Sequence, residues 1–361
     1  MKKISTRQLI IFFCIYSFSI KFLALPQLLS QTAGRDAWVA AAIGTVLELL
    51  ILFAILNVLV IGNGSDLYSD LRHNTTWVGG KSVITLMLVL FLLQLFILIS
   101  TSYSMVTQNL FHDMTLQTFL IPLVLFGMLF CFVSARAIFR SGEIFYLLII
   151  LGLILSVVPA LTQMRPAEVT PMLENGAQPL FNGVYKNLIY FESASFLLIF
   201  SGDVKITKDF KKKFMTVATL VGLAFVFFVF MAVALFGTLA PYKEAAIANL
   251  TVYSSFLTQG GRIDWILICI WLLLLLMRFG VTFYCVFACI RYLFNLKHRA
   301  GYIGLGIAAT LWAVYTFAII TKTRLDDFVV VAAPAIATLV LLIPLVCFVN
   351  ALVLKRRARN G

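Results

Sequence analysis

Four ionisable side chains, Lys21, Glu48, Glu192 and Arg278, stand inside long apolar runs of a 361-residue chain. Lys21 is set in Phe18-Ser19-Ile20-Lys21-Phe22-Leu23 and Arg278 in Leu275-Leu276-Met277-Arg278-Phe279. A lone charge at the centre of a bilayer costs at least about 2.5 to 3.5 kcal/mol even on a lenient insertion scale, so four such groups must pair or line a wet cavity. Two are cations and two are anions, and the set can neutralise itself. Three kinds of chemistry fit. One is a structural ion-pair network holding helices together. Another is a site for a small zwitterion, whose carboxylate would meet Lys21 or Arg278 and whose ammonium would meet Glu192 or Glu48. The last is a proton relay through Glu192 or Glu48.

The elements that must position these residues follow from composition. The chain is 62% apolar and 12% charged, against roughly 25% charged in an average soluble domain. This excludes a soluble enzyme, a disulfide scaffold and a disordered chain, and the lack of short-period alternation argues against an outer-membrane barrel. Apolar runs predict ten helical spans, near 8–30, 37–60, 82–104, 119–135, 143–162, 184–201, 214–240, 265–294, 302–320 and 328–352. Counted from one end of their spans, the four charges lie roughly 12 to 20 Å deep at 1.5 Å per residue. Lys186 lies two residues inside its span and can snorkel outward, so it receives no role. Nineteen of the 28 Lys and Arg fall on the face holding both termini and six on the other, which predicts cytoplasmic termini. The run after Met1-Lys2-Lys3 is too long, and too interrupted by Lys21, to read as a cleaved signal peptide.

Two of the charge-bearing spans carry marks of local weakness. Around Lys21, Ser17 and Ser19 can bond to the backbone and Pro26 removes a helix hydrogen bond; around Glu192, Ser193 and Ser195 add polar groups at one depth. Broken spans expose backbone groups only toward a cavity, and the positive end of a half-helix suits a carboxylate. Spans 1 and 6 would then be paired discontinuous helices of two oppositely running five-span halves, about 8–162 and 184–352 of a single membrane domain. The six cysteines all fall within spans and read as packing residues, with no disulfide or metal implied. The loop from Arg165 to Pro179 is rich in turn residues and serves as a rim for an outer cavity or as a solvated connector. Lys205 to Lys213 form a basic loop that the inside-positive rule already requires, and that could touch anionic lipid. His73, His112 and His298 lie in loops on both faces, and neither a phosphate-binding loop nor a nucleophile elbow is present; no catalytic residue, cofactor or nucleic-acid partner is expected.

Several motifs in order along the chain resemble one family. Ile4-Ser5-Thr6-Arg7-Gln8, Leu25-Pro26 and Arg35-Asp36-Ala37-Trp38 are similar to the opening of spore germination permeases of the GerAB type, within the amino acid/polyamine/organocation superfamily. Arg140 with Glu143 resembles that family's Arg-x-x-Glu segment, Pro171 to Gly176 its outer loop, and Arg262-Ile263-Asp264 with Trp271 the start of its eighth span. The resemblance implies an all-α, LeuT-like fold of 5+5 inverted repeats, with ligand held between breaks in span 1 at Ser19 to Phe22 and in span 6 near Phe191 to Ser193. It implies a subunit of a nutrient germinant receptor in the inner spore membrane, with an A-type subunit and a C-type lipoprotein as partners. On this sequence the ligand-contacting residues would be Ser19, Ile20, Lys21, Phe191, Glu192, Ser193 and Arg278, with Glu48, Glu192 and Lys21 in proton or ion-pair roles. Ser19 stands where the family commonly has glycine. The expected function is nutrient sensing, with proton-coupled amino acid transport as the alternative.

Overall fold

A computed structural model of the chain describes residues 3–74, 77–174, 176–243, 264–296, 304, 306 and 322–360. Among the described residues the regular elements are helical: α1 Thr6–Ala33, α2 Ala37–Gly62, α3 Leu67–Asn74, α4 Trp77–Asn109, α5 Leu116–Phe132 and α6 Ala135–Leu161. They continue as α7 Gln178–Lys186, α8 Phe196–Ile199, α9 Phe210–Phe236, α10 Asp264–Phe294 and α11 Lys322–Asn360. Among the described residues six stretches are long and apolar enough to cross a membrane, and one of them, Thr6–Gly62, is divided into α1 and α2 by a 3-10 turn at Gly34–Asp36; α5 is a shorter apolar helix. Outer faces are apolar at helical spacing: Ile121, Leu125 and Leu129 on α5, and Ile144, Leu147, Leu151, Ile154 and Val158 on α6, are all exposed. This is the surface of a multi-pass membrane protein, with lipid as the solvent for those stripes.

The spans differ from the sequence expectation in several places. The connection expected over 61–81 contains helix α3, and α4 starts at Trp77. The fourth span lies three residues earlier than expected, and the expected ninth span, apart from 304 and 306, lies outside the described residues.

The largest correction concerns span 1. It is not broken at Ser19 to Phe22: α1 is continuous through both that segment and Pro26. Every residue from Ile11 to Pro26 is buried, away from solvent that could take up freed backbone groups, and the helix keeps its bonds internal. The serines close the ladder rather than open it. Ser19 Oγ donates to the Tyr16 carbonyl at 2.9 Å, and Ser30 Oγ to the Pro26 carbonyl at 2.7 Å.

Span 6 is interrupted as expected. Helix α7 passes into a 3-10 turn at Leu188–Phe191, then an extended stretch from Glu192, then the single turn of α8 and another 3-10 turn at Ser201–Asp203. The difference between the two spans lies in the charged residue. Glu192 is an acceptor and can satisfy amides that the break sets free, whereas a lysine offers only donors.

Helix α1 occupies the middle of the bundle, in contact with α2, α6, α7, α9 and α10; α2 packs along α9 and α11, and α10 along α4 and α5. Glycines let these helices approach closely. A Cβ at Gly222 of α9 would lie 2.4 Å from a Thr45 methyl on α2, and one at Gly280 of α10 would lie 2.7 Å from the Phe130 ring on α5.

The start of the chain is fastened to the segment after span 6. Ser5 and Gln8 form a capping box, each side chain bonding the other's backbone N–H, at 3.3 Å in both directions. Just before it, Ile4 makes a parallel bridge to Val204, donating to the Asp203 carbonyl at 2.7 Å and accepting from Lys205 N at 3.0 Å. Nearby, Ser201 Oγ accepts from Leu67 N at 2.9 Å, and the Tyr292 hydroxyl donates to Asp66 at 2.7 Å.

Burial holds the Asp66 carboxyl above its ordinary range, partly offset by the Tyr292 bond. A carboxyl raised by folding favours the protonated form, so its contribution to stability falls as pH rises from the ordinary value to the raised one. Asp66→Asn keeps an acceptor for Tyr292 and removes the buried charge. It is expected to raise the melting temperature in micelles at about pH 7 and to leave it unchanged at about pH 3, below both values. Equal shifts at both pH values would refute this.

Candidate functional site

The fold brings all four charged residues into one buried cluster. Lys21 of α1 forms an ion pair with Glu48 of α2; the two side chains are 1% and 7% exposed. The Lys21 ammonium also lies 5.9 Å from the ring centre of Phe191 and 5.6 Å from that of Phe225, a cation–π setting that replaces part of its lost hydration. Arg278 of α10 reaches across to α1, donating from Nη1 to the Tyr16 carbonyl at 2.7 Å with its guanidinium 4.2 Å from the Tyr16 ring centre. That carbonyl therefore accepts from both Ser19 and Arg278.

Glu192 is placed by the break itself. One carboxylate oxygen accepts from the amides of Ala194, at 3.0 Å, and Ser195; the other accepts from the side-chain amide of Gln94 on α4. Because Gln94 gives its NH2 to the carboxylate, its carbonyl faces the Tyr16 hydroxyl, which donates to it at 3.0 Å. Tyr16 also contacts Thr282 Oγ1 at 3.0 Å, and Thr282 bonds the Arg278 carbonyl at 2.9 Å. One network thus joins α1, α4, the span 6 break and α10.

The positive end expected of the half-helix is therefore filled from within, with Glu192 holding the two amides that a ligand carboxylate would seek. Glu48 also meets the Ser193 hydroxyl, while the hydroxyls of Ser195, Ser17 and Thr45 have no hydrogen-bond partner. Leaving a buried polar group unpaired costs about 1–3 kcal/mol. Three such atoms, one each on α1, α2 and the break, lie around the charged cluster.

Of the expected ligand contacts, Lys21, Phe191, Glu192, Ser193 and Arg278 are in or against the cluster. Ser19 and Ile20 are not as expected: both are buried within intact helix and offer no open backbone, since Ser19 Oγ is spent on Tyr16. Lys186 is exposed, as its place near the span end suggested. Five of the six cysteines are buried, while Cys269 is exposed on the apolar surface of α10. Gln94 and Thr282 went unread in the sequence. Their signals were present as an uncharged amide in the centre of Phe91-Leu92-Leu93-Gln94-Leu95-Phe96, and a threonine one helical turn after Arg278.

The motifs around the site also acquire contacts. Arg7 at the start of α1 lies 3.8 Å from Glu143 at the start of α6. Asp36, in the turn between α1 and α2, accepts from Leu173 N through both oxygens, at 3.1 and 2.9 Å.

A bundle of apolar helices with a self-neutralising polar centre beside a broken span is that of a polytopic membrane protein. The model of the spore permease family, described as spore germination protein, matches residues 3–326, and the chain belongs to that family. No curated protein matches its sequence.

Proposed function

We propose that the chain is the nutrient-sensing membrane subunit of a spore germinant receptor, binding an amino acid or similar zwitterion between α1 and the span 6 break. The observation that carries this reading is the cluster of Lys21, Glu48, Glu192 and Arg278, buried and charge-balanced, with the unpartnered Ser195 hydroxyl and the Glu48–Ser193 contact beside it. Within it, a guest's ammonium would take Glu48 Oε1 and the serine hydroxyls, and its carboxylate would turn toward Arg278. Every one of these side chains is almost fully buried, so entry requires the helices around the break to move. A guest that binds the moved arrangement better shifts the population toward it and can pass that change to A-type and C-type partner subunits.

The packing supports a 5+5 inverted repeat of ten spans. With α1, α2 and α4 taken as the first three spans, and the α7–α8 segment, α9 and α10 as the sixth to eighth, each packs on the helix five places on. Elements near a pseudo-two-fold axis meet their own counterparts in this way. The charge bias supports cytoplasmic termini, and the receptor reading goes with the inner membrane of the spore.

The test is binding of a labelled mixture of the twenty protein amino acids to the purified chain in nanodiscs. Glu192→Gln keeps the bonds to Ala194 and Ser195 but sets an amide against the Gln94 amide. It is expected to weaken binding at least about ten-fold, equivalent to about 1.4 kcal/mol, with the protein still inserted. Unchanged affinity would overturn the reading. The two buried carboxylates also favour a second reading, proton-coupled uptake of the same guest. Accumulation of label in proteoliposomes holding this chain alone, driven by a pH gradient, would decide for it.

A further inference from the structure

At the end of the bundle away from the amino terminus, three chain segments enclose a second polar space. The turn between α1 and α2, the loop ahead of α7 and the turn after α9 surround a cavity of about 370 Å³. Volumes of roughly 300 to 1,000 Å³ are usual for sites that hold small molecules. Its charged lining residues are Arg35, Asp36 and Glu174. Asp36 is committed, since both oxygens hold Leu173 N and so fix the loop. Arg35 gives Nη1 to the Thr170 carbonyl at 2.8 Å, one of the five N–H donors of a guanidinium. Its contact with Glu174 is long, 3.9 Å, and the Glu174 side chain is 61% exposed. An exposed pair at that distance is weak and easily exchanged.

We propose that this cavity is an outer binding site for a zwitterionic amino acid, with the guest's carboxylate on Arg35 and its ammonium on Glu174. A simple anion would face Glu174 unpaired and a simple cation would face Arg35; a guest carrying both charges replaces the loose pair with two short contacts. Gly34, at φ +57°, brings bare backbone to the wall, and the space a side chain would take there is open. The site is separate from the buried cluster and shares with the reading above only the class of guest.

The experiment is equilibrium dialysis of the full chain in nanodiscs against uniformly carbon-14-labelled amino acids in a mixture of all twenty. Two saturable components are expected. Glu174→Gln, at a largely exposed side chain, removes one of them, weakening it at least ten-fold, while Glu192→Gln removes the other; Arg35→Gln repeats the Glu174 effect. One component that vanishes with Glu174→Gln alone would leave the outer site standing and overturn the buried one. One component that vanishes with Glu192→Gln alone would overturn the outer site. No saturable binding in the parent chain would overturn both.

Discussion

Lys21→Met is expected to destabilise the folded bundle by about 3–5 kcal/mol, while Lys21→Met combined with Glu48→Gln costs far less. Lys21 is 1% exposed and its ammonium is paired with the Glu48 carboxylate, itself almost wholly buried. Removing the cation alone strands a buried carboxylate with only the Ser193 hydroxyl beside it. Neutralising that carboxylate removes the stranded charge. The measurement is a double-mutant cycle by reversible unfolding in mixed micelles, and coupling below about 0.5 kcal/mol would refute the pairing. The same cycle with Glu192→Gln in place of Glu48→Gln should show weaker coupling, because Glu192 is held by Gln94 and two backbone amides.

Gly44→Val should be nearly as damaging, at about 3 kcal/mol, the upper range for overpacking a buried position. A Cβ at Gly44 would fall 2.2 Å from the Phe191 ring, and Phe191, fully buried, packs edge-on to Phe225 with ring centres 6.1 Å apart. The ring has no free space to retreat into. Phe191 precedes Glu192, so displacing it also tilts the break. Loss of stability together with loss of amino acid binding is expected, and Phe191→Ala in the Gly44→Val background should restore part of the stability. A Gly44→Val protein as stable as the parent would show that the close approach is not needed.

The positions of the helices, and the charges worth watching, were legible in the sequence because both signals are local. Long apolar runs announce spans, and a charge inside one is costly wherever it sits. What could not be read was which charge meets which. Lys21 had two candidate carboxylates, and only the packing of α1 on α2 selects Glu48. The two suspected breaks share serines and polar neighbours, yet one span is intact. The deciding property is whether the charged side chain can accept freed amides, as Glu192 does for Ala194 and Ser195 and Lys21 cannot. Gln94 escaped notice because an amide carries no charge penalty to draw the eye, although it orients both Glu192 and Tyr16.

The hold of Glu192 on its own chain bears on how a germination protein could stay silent. The carboxylate that completes the unwound turn belongs to the protein, so the amides of Ala194 and Ser195 are satisfied by the chain itself. On the proposed reading, a guest whose carboxylate sought those two amides would have to compete with a resident group that is always present at full local concentration. That competition favours the closed turn, and would leave Arg278 as the partner a newcomer's carboxylate reaches at least cost.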